Sequence, residues 1–211
     1  ESRKFYAEVI LDETNKMDKL VKQLLELMKL EYGKREFNNK EFNILELEKE
    51  VIRKTQVMID EKQAEIKFDN IGDIQVFADD FYIEQVLTNY LTNAIKNVKE
   101  IDYEVNDSVR VMNGPLENFI GVVQEINKEK NKVCIKVFNT GDKISEENLN
   151  RIWNRFYKAD ESRHREDGGT GIGLAFVKAI MGNYDNKYGV RNLENGVEFY
   201  FELDVRQVGQ S

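Results

Sequence analysis

Four glycines fall between residues 168 and 173, immediately before an apolar stretch with helical spacing. A glycine costs roughly 0.5–1 kcal/mol relative to alanine where the backbone is held in one conformation, so the run indicates a place that needs bare backbone. A helix N-terminus carries unpaired N–H groups and the positive end of the helix dipole, and glycine lets an anion approach closely. The run therefore predicts a phosphate-binding loop, with an ordinary flexible loop ahead of a helix as the alternative.

The composition restricts the class of protein. The chain has 211 residues, 41% of them hydrophobic, and no apolar run approaches the roughly 18 residues of a membrane span. A net charge of −8 argues against nucleic acid as a partner, and a single cysteine, Cys134, excludes a disulfide within the chain. We expect Cys134 to be a core residue and His164 to be a solvated side chain in the charged stretch "ADESRHRED", which leaves no His/Cys metal site.

The first 33 residues predict one long helix. No glycine or proline occurs from residue 5 to 32, and Ile10, Met17 and Leu24, with Leu20 and Leu27, follow a coiled-coil-like seam that ends at Gly33. The polar "KREFNNKEFN" that follows reads as a linker. Because a helix of this length cannot bury its stripe alone, we expect a partner helix from a missing segment or a second chain. The alternative is a terminal helix packed on its own domain.

The middle of the chain predicts two more helices around two strands. Asn43 and Glu46 form a capping box at the start of a helix with an apolar stripe that includes Leu47 and Val51. The strand-like pieces "EIKFD" and "DIQVFAD" are separated by "NIGD", and Asp80 is the predicted cap of a third helix, "FYIEQVLTNYLTNAIKNV".

The third helix has a polar edge beside its apolar face. At 100° per residue the apolar face comprises Ile83, Val86, Leu87, Tyr90, Leu91, Ala94 and Val98, whereas Asn89, Asn93 and Lys96 fall within an arc of about 60°. Two amide oxygens four residues apart suit a hydrated metal or a phosphate, and a lysine adds a positive charge. A solvated polar face is the alternative.

The remaining sequence predicts a strand, a short helix and a terminal hairpin. The strand "KVCIKVFN" leads into "NTGDKIS" and then into the short helix "EENLNRIWNRF". After the glycine run, "KYGVRNLENGVEFYFELDV" alternates as two strands around an "ENG" turn.

These pieces, in this order, resemble the catalytic half of a sensor histidine kinase of a two-component system, with the GHKL (Bergerat) ATP-binding fold. "NYLTNAIKN" is similar to the N box of that family, "NTGDKI" to its G1 box, "RIWNRFYKAD" to its F box and "GGTGIGL" to its G2 box. The likeness extends to sensors of the vancomycin-resistance type. It implies an α+β fold, a two-layer α/β sandwich with a long N-terminal helix.

The resemblance assigns expected roles residue by residue. Asn93 is expected to coordinate Mg²⁺, with Asn89 and Lys96 on the phosphates of ATP or on the waters of the metal, and Gly169, Gly171 and Gly173 around the phosphates. Asn139 and Gly141 are expected at the adenine, Phe156 as the anchor of a lid at residues 155–170, and Arg155 and Lys158 at the γ-phosphate. The implied nucleotide contacts also include Asn97, Ile144, Thr170, Ile172 and Leu174.

The resemblance also implies an organisation and partners. Residues 1–33 are expected to be the second helix of a dimerisation hairpin, and residues 41–211 the catalytic domain. The phospho-accepting histidine of the family lies on the first hairpin helix, so we expect this chain to be a fragment that binds ATP but does not phosphorylate itself. A response regulator is the implied partner, the parent protein is expected to be a homodimer, and the chain is expected to be the cytoplasmic portion of a membrane-anchored sensor.

Three departures from the family pattern stand out. Asn139 replaces an aspartate, which weakens the contact to adenine by about 1 kcal/mol. Lys143 replaces the second glycine of the G1 box, which matters if that position needs a positive φ. The stretch at 106–133 contains Pro115, the only proline, and resembles the KOW motif of NusG-type transcription elongation factors. A lengthened hairpin at the sheet edge and a chimeric sequence are the alternatives for that stretch, which we expect to be an insertion-like hairpin at about 101–133.

Two other functions compete with a kinase. A GHKL ATPase of the gyrase, chaperone or mismatch-repair type needs a general-base carboxylate near the metal-binding asparagine. The corresponding residue here is Asn89, which cannot take a proton from water. A non-catalytic nucleotide-binding or dimerisation module, with a G1 box that has lost its nucleotide, is the remaining alternative.

Overall fold

The computed structural model of the chain describes residues 2–33, 36–69, 73–97, 119–127, 131–158 and 170–205. These residues form five helices and seven strands. The helices are α1 (Ser2–Glu31), α2 (Ile44–Glu61), α3 (Asp80–Asn97), α4 (Glu146–Arg151) and α5 (Gly173–Tyr184). The strands are β1 (Lys40–Asn43), β2 (Glu65–Asp69), β3 (Gln75–Ala78), β4 (Phe119–Asn127), β5 (Lys132–Thr140), β6 (Tyr188–Leu193) and β7 (Gly196–Asp204). No helix in these ranges is both long and apolar enough to cross a bilayer.

A five-stranded sheet with the order β2-β4-β5-β7-β6 supports the helices. Only the β2–β4 pair is parallel. Alternate residues of β5, among them Ile135 and Val137, are buried under α3, which is flanked by α2 and α5. The ring of Tyr90 lies 5.2 Å from that of Phe199, and its hydroxyl donates to the carbonyl of Tyr200 at 3.2 Å. The expected two-layer α/β sandwich is confirmed.

The helix α1 is packed on the domain only at its C-terminal end. Leu27 and Leu30 are fully buried, and Asn183 Nδ2 of α5 donates to the carbonyl of Leu30 at 3.2 Å. Further towards the N-terminus, Ile10 and Met17 on the expected seam are each 66% exposed. The last turns of the helix therefore pack on its own domain, whereas the N-terminal part of its seam is exposed, and the partner helix stays a prediction.

The linker contains a strand that the sequence did not predict. The strand β1 pairs antiparallel with β3, so that Lys40 lies opposite Ala78 and Asn43 opposite Gln75. Phe37, just ahead of β1, packs on two rings, with centroids 4.8 Å from Tyr82 and 5.1 Å from Tyr184. Reading this segment as a linker throughout was therefore wrong, since a short polar strand gives little periodicity to recognise.

The strand β4 occupies the interior of the main sheet. It pairs parallel with β2 and antiparallel with β5. The stretch with the insertion-like and KOW-like patterns thus includes Phe119–Asn127, which form an inner strand of the sheet and not a hairpin at its edge. Residues 101–118, with Pro115, and residues 128–130 lie outside the described residues, so the KOW likeness and the insertion-like hairpin stay predictions.

The N-terminal cap of α3 is Asp79, and the prediction of Asp80 was wrong by one residue. The carboxylate of Asp79 accepts from the backbone N–H of Phe81 at 3.1 Å and of Tyr82 at 3.4 Å. Its second oxygen accepts from the N–H of Asn38 at 2.8 Å, so it also ties the linker to the helix. Asp80 instead forms a partly exposed ion pair with Lys40 at 2.8 Å.

Replacing Asp79 by alanine is expected to lower the free energy of unfolding by about 2 kcal/mol, because three backbone donors lose their acceptor. Asp80→Ala is the matched control, and its expected loss is below about 1 kcal/mol because its ion pair is solvated. Urea denaturation of the two variants measures both values. An equal loss in the two variants would contradict the assignment of the cap.

Candidate functional site

The polar edge of α3 is present as predicted. Asn89 and Asn93 are half-buried and Lys96 is exposed, all beside the buried stripe of the helix. The Nδ2 atom of Asn89 donates to the carbonyl of Gln85 at 2.8 Å, which fixes the rotation of the amide. Its Oδ1 is thereby held in one direction, as an acceptor or a metal-directed oxygen requires.

The N-terminus of α5 lies directly against this edge. A Cβ added to Gly173 would lie 3.2 Å from Asn89 Cγ and closer still to Oδ1. Gly171 has φ +69°, the left-handed region that favours glycine. The first backbone N–H groups of α5 and the amides of α3 therefore border the same space, where donors and amide oxygens are available together.

The F box and the G2 box are joined through their backbones. The N–H of Phe156 donates to the carbonyl of Gly171 at 2.8 Å, and a Cβ on Gly171 would lie 2.8 Å from the Cα of Phe156. Phe156 itself has φ +62°, and the residue is 53% exposed. The main chain of Phe156 is therefore bonded to the G2 box. Residues 159–169 of the expected lid lie outside the described residues, and the anchoring role of Phe156 stays a prediction.

The G1 box packs against the C-terminal end of α3. Asn139 is 2% exposed, and its Nδ2 donates to the carbonyl of Thr140 at 3.3 Å. A Cβ added to Gly141 would lie 2.6 Å from the carbonyl oxygen of Asn97, at the C-terminal end of α3. The G1 box therefore packs on α3, as the start of α5 does. The backbone carbonyl of Asn97 makes this contact, and the side-chain Nδ2 of Asn97 donates to the carbonyl of Asn93 at 2.7 Å.

A residue that the sequence reading missed holds the far end of the G1 loop. Asn192 of β6 accepts from the N–H of Ile144 at 2.9 Å and donates to the carbonyl of the same residue at 2.6 Å. Asparagine is depleted in strands. An asparagine within "YGVRNL" was therefore the one available signal.

The two cationic side chains expected at the γ-phosphate, Arg155 and Lys158, differ in their surroundings. Arg155 pairs with Glu31, the last residue of α1, through a hydrogen bond from Nε to Oε1 at 3.2 Å and a second contact between Nη2 and Oε2. Lys158 is exposed. The structure thus directs Arg155 at the helix α1 and leaves its expected contact with a γ-phosphate untested.

The remaining residues predicted to contact the nucleotide differ in how far their side chains are buried. Thr170 is exposed, Ile172 is buried in the core at 1% exposure, and Leu174 is half-buried against that core. For Ile172, only the main chain is therefore available to a ligand. Gly169 lies outside the described residues.

Lys143 causes no strain at the G1 box. Its φ is not positive, unlike that of Asn131 or Phe156. The loss of the glycine of the family pattern at this position is therefore tolerated by the backbone.

Lys96 adds a positive charge to the polar edge of α3, and the start of α5 adds backbone N–H dipoles. Within the described ranges no group of three or more His, Cys, Asp or Glu is placed to hold a metal ion. Cys134 lies on β5, where burial raises the pKa of its thiol to about 11 and keeps it protonated at neutral pH. Mg²⁺ needs few protein ligands, and the amide oxygen of Asn93 could supply one.

Comparison with known proteins was consistent with this geometry. The family model described as histidine kinase-, DNA gyrase B-, and HSP90-like ATPase matches residues 78–207. SenX3, a sensor-like histidine kinase of Mycobacterium tuberculosis (strain ATCC 25618 / H37Rv), is 26% identical over 180 residues, which are 85% of this chain and 40% of SenX3. The chain thus spans about 40% of the length of this curated relative.

Solved structures show the same fold. The catalytic domain of the histidine kinase ThkA is 30% identical, with a TM-score of 0.63 over 81% of this chain and 96% of that domain. ThkA in complex with the response regulator protein TrrA is 27% identical, with a TM-score of 0.66 over 94% of this chain and 50% of that one. Full-length ShkA in complex with AMPPNP, at 20% identity and a TM-score of 0.77, covers all of this chain and 40% of its own.

Proposed function

This chain belongs to the histidine kinase-, DNA gyrase B-, and HSP90-like ATPase family, and we propose that it is the ATP-binding catalytic region of a sensor histidine kinase. The region would transfer the γ-phosphate of ATP to a histidine of a dimerisation hairpin, and from there the phosphate would pass to an aspartate of a response regulator. The observation that carries the proposal is the contact between Gly173 and Asn89, which brings a helix N-terminus and an amide edge to one cleft.

The cleft suits a magnesium-bound triphosphate. Bare N–H groups at the start of α5 would donate to phosphate oxygens, and Lys96 would add a charge at the end of α3. Asn93 would supply an oxygen to Mg²⁺, which takes few protein ligands and keeps several of its waters. When bound, the ion would neutralise the developing phosphate charge, and the protein would contribute position and preorganised donors.

The base would lie at the G1 box. Asn139 is buried and neutral, and the bond from its Nδ2 to Thr140 leaves Oδ1 as the acceptor for an adenine amino group. An amide accepts more weakly than the carboxylate of the family pattern, by about 1 kcal/mol. Adenine nucleotides would therefore bind, with reduced affinity.

A GHKL ATPase is less well supported. Asn89 donates to its own helix and has no carboxylate, so it cannot activate water as such an ATPase requires. The close packing of Gly141 and Gly171 would serve a non-catalytic module of the same fold equally well, so nucleotide binding is the property that distinguishes it.

Transfer of the γ-phosphate would require the Arg155 side chain to leave its ion pair with Glu31. Its guanidinium is paired with Glu31 at the end of α1, whereas stabilising a γ-phosphate needs it in the cleft. The position of α1 would thus influence whether this side chain is available to the nucleotide.

The proposed partners are supported by the solved complex of a relative and by the exposed part of α1. ThkA binds the response regulator TrrA in a solved complex, and a response regulator is the corresponding partner here. The exposed seam of α1, with Ile10 and Met17, would form the dimer interface of the parent protein, which we place at the cytoplasmic side of a membrane.

Calorimetry with ADP and Mg²⁺ tests the nucleotide site. We expect measurable binding to the wild type and a loss of at least about tenfold in Asn93→Ala, because an oxygen ligand of the metal is removed. Thr92→Ala is the matched control, since its hydroxyl bonds within α3 to Thr88, and it should bind as the wild type does. The absence of heat with the wild type would favour the non-catalytic module.

Comparing two nucleotides tests the role of Arg155. Arg155→Ala is expected to weaken a non-hydrolysable ATP analogue about tenfold and to leave ADP unchanged, because only the analogue has a γ-phosphate. Glu31→Gln should shift the ratio in the opposite direction by releasing the arginine. Arg151→Ala, which removes an arginine paired with Glu147 in the same segment, is the control. Equal effects on both nucleotides would show that Arg155 does not reach the γ-phosphate.

A further inference from the structure

We propose that Asn192 is a positioning residue for the base of the nucleotide. It touches no ligand itself and acts by fixing the loop at residues 141–145. The inference rests on the proposed function, since it concerns how that site holds adenine.

The amide of Asn192 satisfies both backbone groups of one residue. Its Oδ1 accepts from the N–H of Ile144 at 2.9 Å, and its Nδ2 donates to the carbonyl of Ile144 at 2.6 Å. A side chain that donates and accepts at once in this geometry fixes both the position and the rotation of the peptide groups that it meets.

The two ends of the G1 loop are therefore held independently. At its start, Gly141 lies so close to the carbonyl of Asn97 that even a Cβ would not fit. At its end, Ile144 is fastened to β6 by Asn192. The proposed base contacts at Asn139, Gly141 and Ile144 are thus kept in one arrangement before the nucleotide binds, which saves ordering entropy on binding.

The sheet does not need this side chain. The strand β6 is an edge strand, and Asn192 pairs with Val197 through the backbone ladder. Asparagine adds little to a strand by itself. The bonds to Ile144, 48 positions away in sequence, account for an amide at this position.

The test compares a ligand that has a base with one that lacks it. Asn192→Ala is expected to weaken ADP with Mg²⁺ about tenfold, through the loss of two hydrogen bonds that order the loop. Binding of magnesium tripolyphosphate should stay within about twofold of the wild type. Asn131→Asp is the control, because Asn131 bonds to Val205 at the opposite end of β5 and should leave ADP binding unchanged.

A second variant uses acid to restore the missing donor. In Asn192→Asp, one oxygen of an ionised carboxylate still accepts from the N–H of Ile144. The other oxygen faces the carbonyl oxygen of Ile144 and repels it, so ADP binding is expected to be weaker at neutral pH. Protonation of the carboxyl at lower pH supplies the O–H donor, and ADP affinity relative to the wild type at the same pH should recover.

Four results would overturn the inference. They are unchanged ADP affinity in Asn192→Ala, an equal loss for ADP and tripolyphosphate, the same loss in Asn131→Asp, or no recovery of Asn192→Asp in acid. A wild-type chain that does not bind ADP at all would instead refute the proposed function, and with it this inference.

Discussion

The start of α5 lies so close to Asn89 of α3 that its first residue, Gly173, has no room for a Cβ. This packing places the unpaired N–H groups of one helix beside the amide oxygens of another, and both are preorganised before any ligand binds. The sheet makes it possible, because α3 packs on β5 and lies beside α5. The proposed nucleotide site is thus a consequence of how α5 packs beside α3.

The same packing connects the site to α1 through a series of direct contacts. Glu31 pairs with Arg155, the next residue hydrogen-bonds to Gly171, and Gly171 precedes the start of α5. Leu27 and Leu30 are buried at the junction of α1 with the domain. A displacement of α1 would consequently act first on the base of the F box and on the glycine loop, the elements nearest to the proposed phosphates.

The sequence predicted the features that local pattern determines. The polar edge of α3, the helix after the glycines and the strands of the terminal hairpin all follow from periodicity and turn residues. Features that depend on distant partners were missed: Glu31 with Arg155, and Asn192 with Ile144, are each joined only by the tertiary fold. The cap at Asp79 was missed because two adjacent aspartates are equivalent by pattern, and only the hydrogen bonds distinguish them.

Paramagnetic broadening by Mn²⁺–ADP in an NMR spectrum of the chain tests the shared cleft most directly. Manganese substitutes for magnesium and broadens signals within a short radius. The account predicts that the side-chain amide of Asn93 and the backbone N–H groups of Gly171 and Gly173 broaden together at the same ligand concentration. Broadening confined to α3 or to the start of α5 would show that the two elements do not serve one nucleotide, and would contradict the assignment.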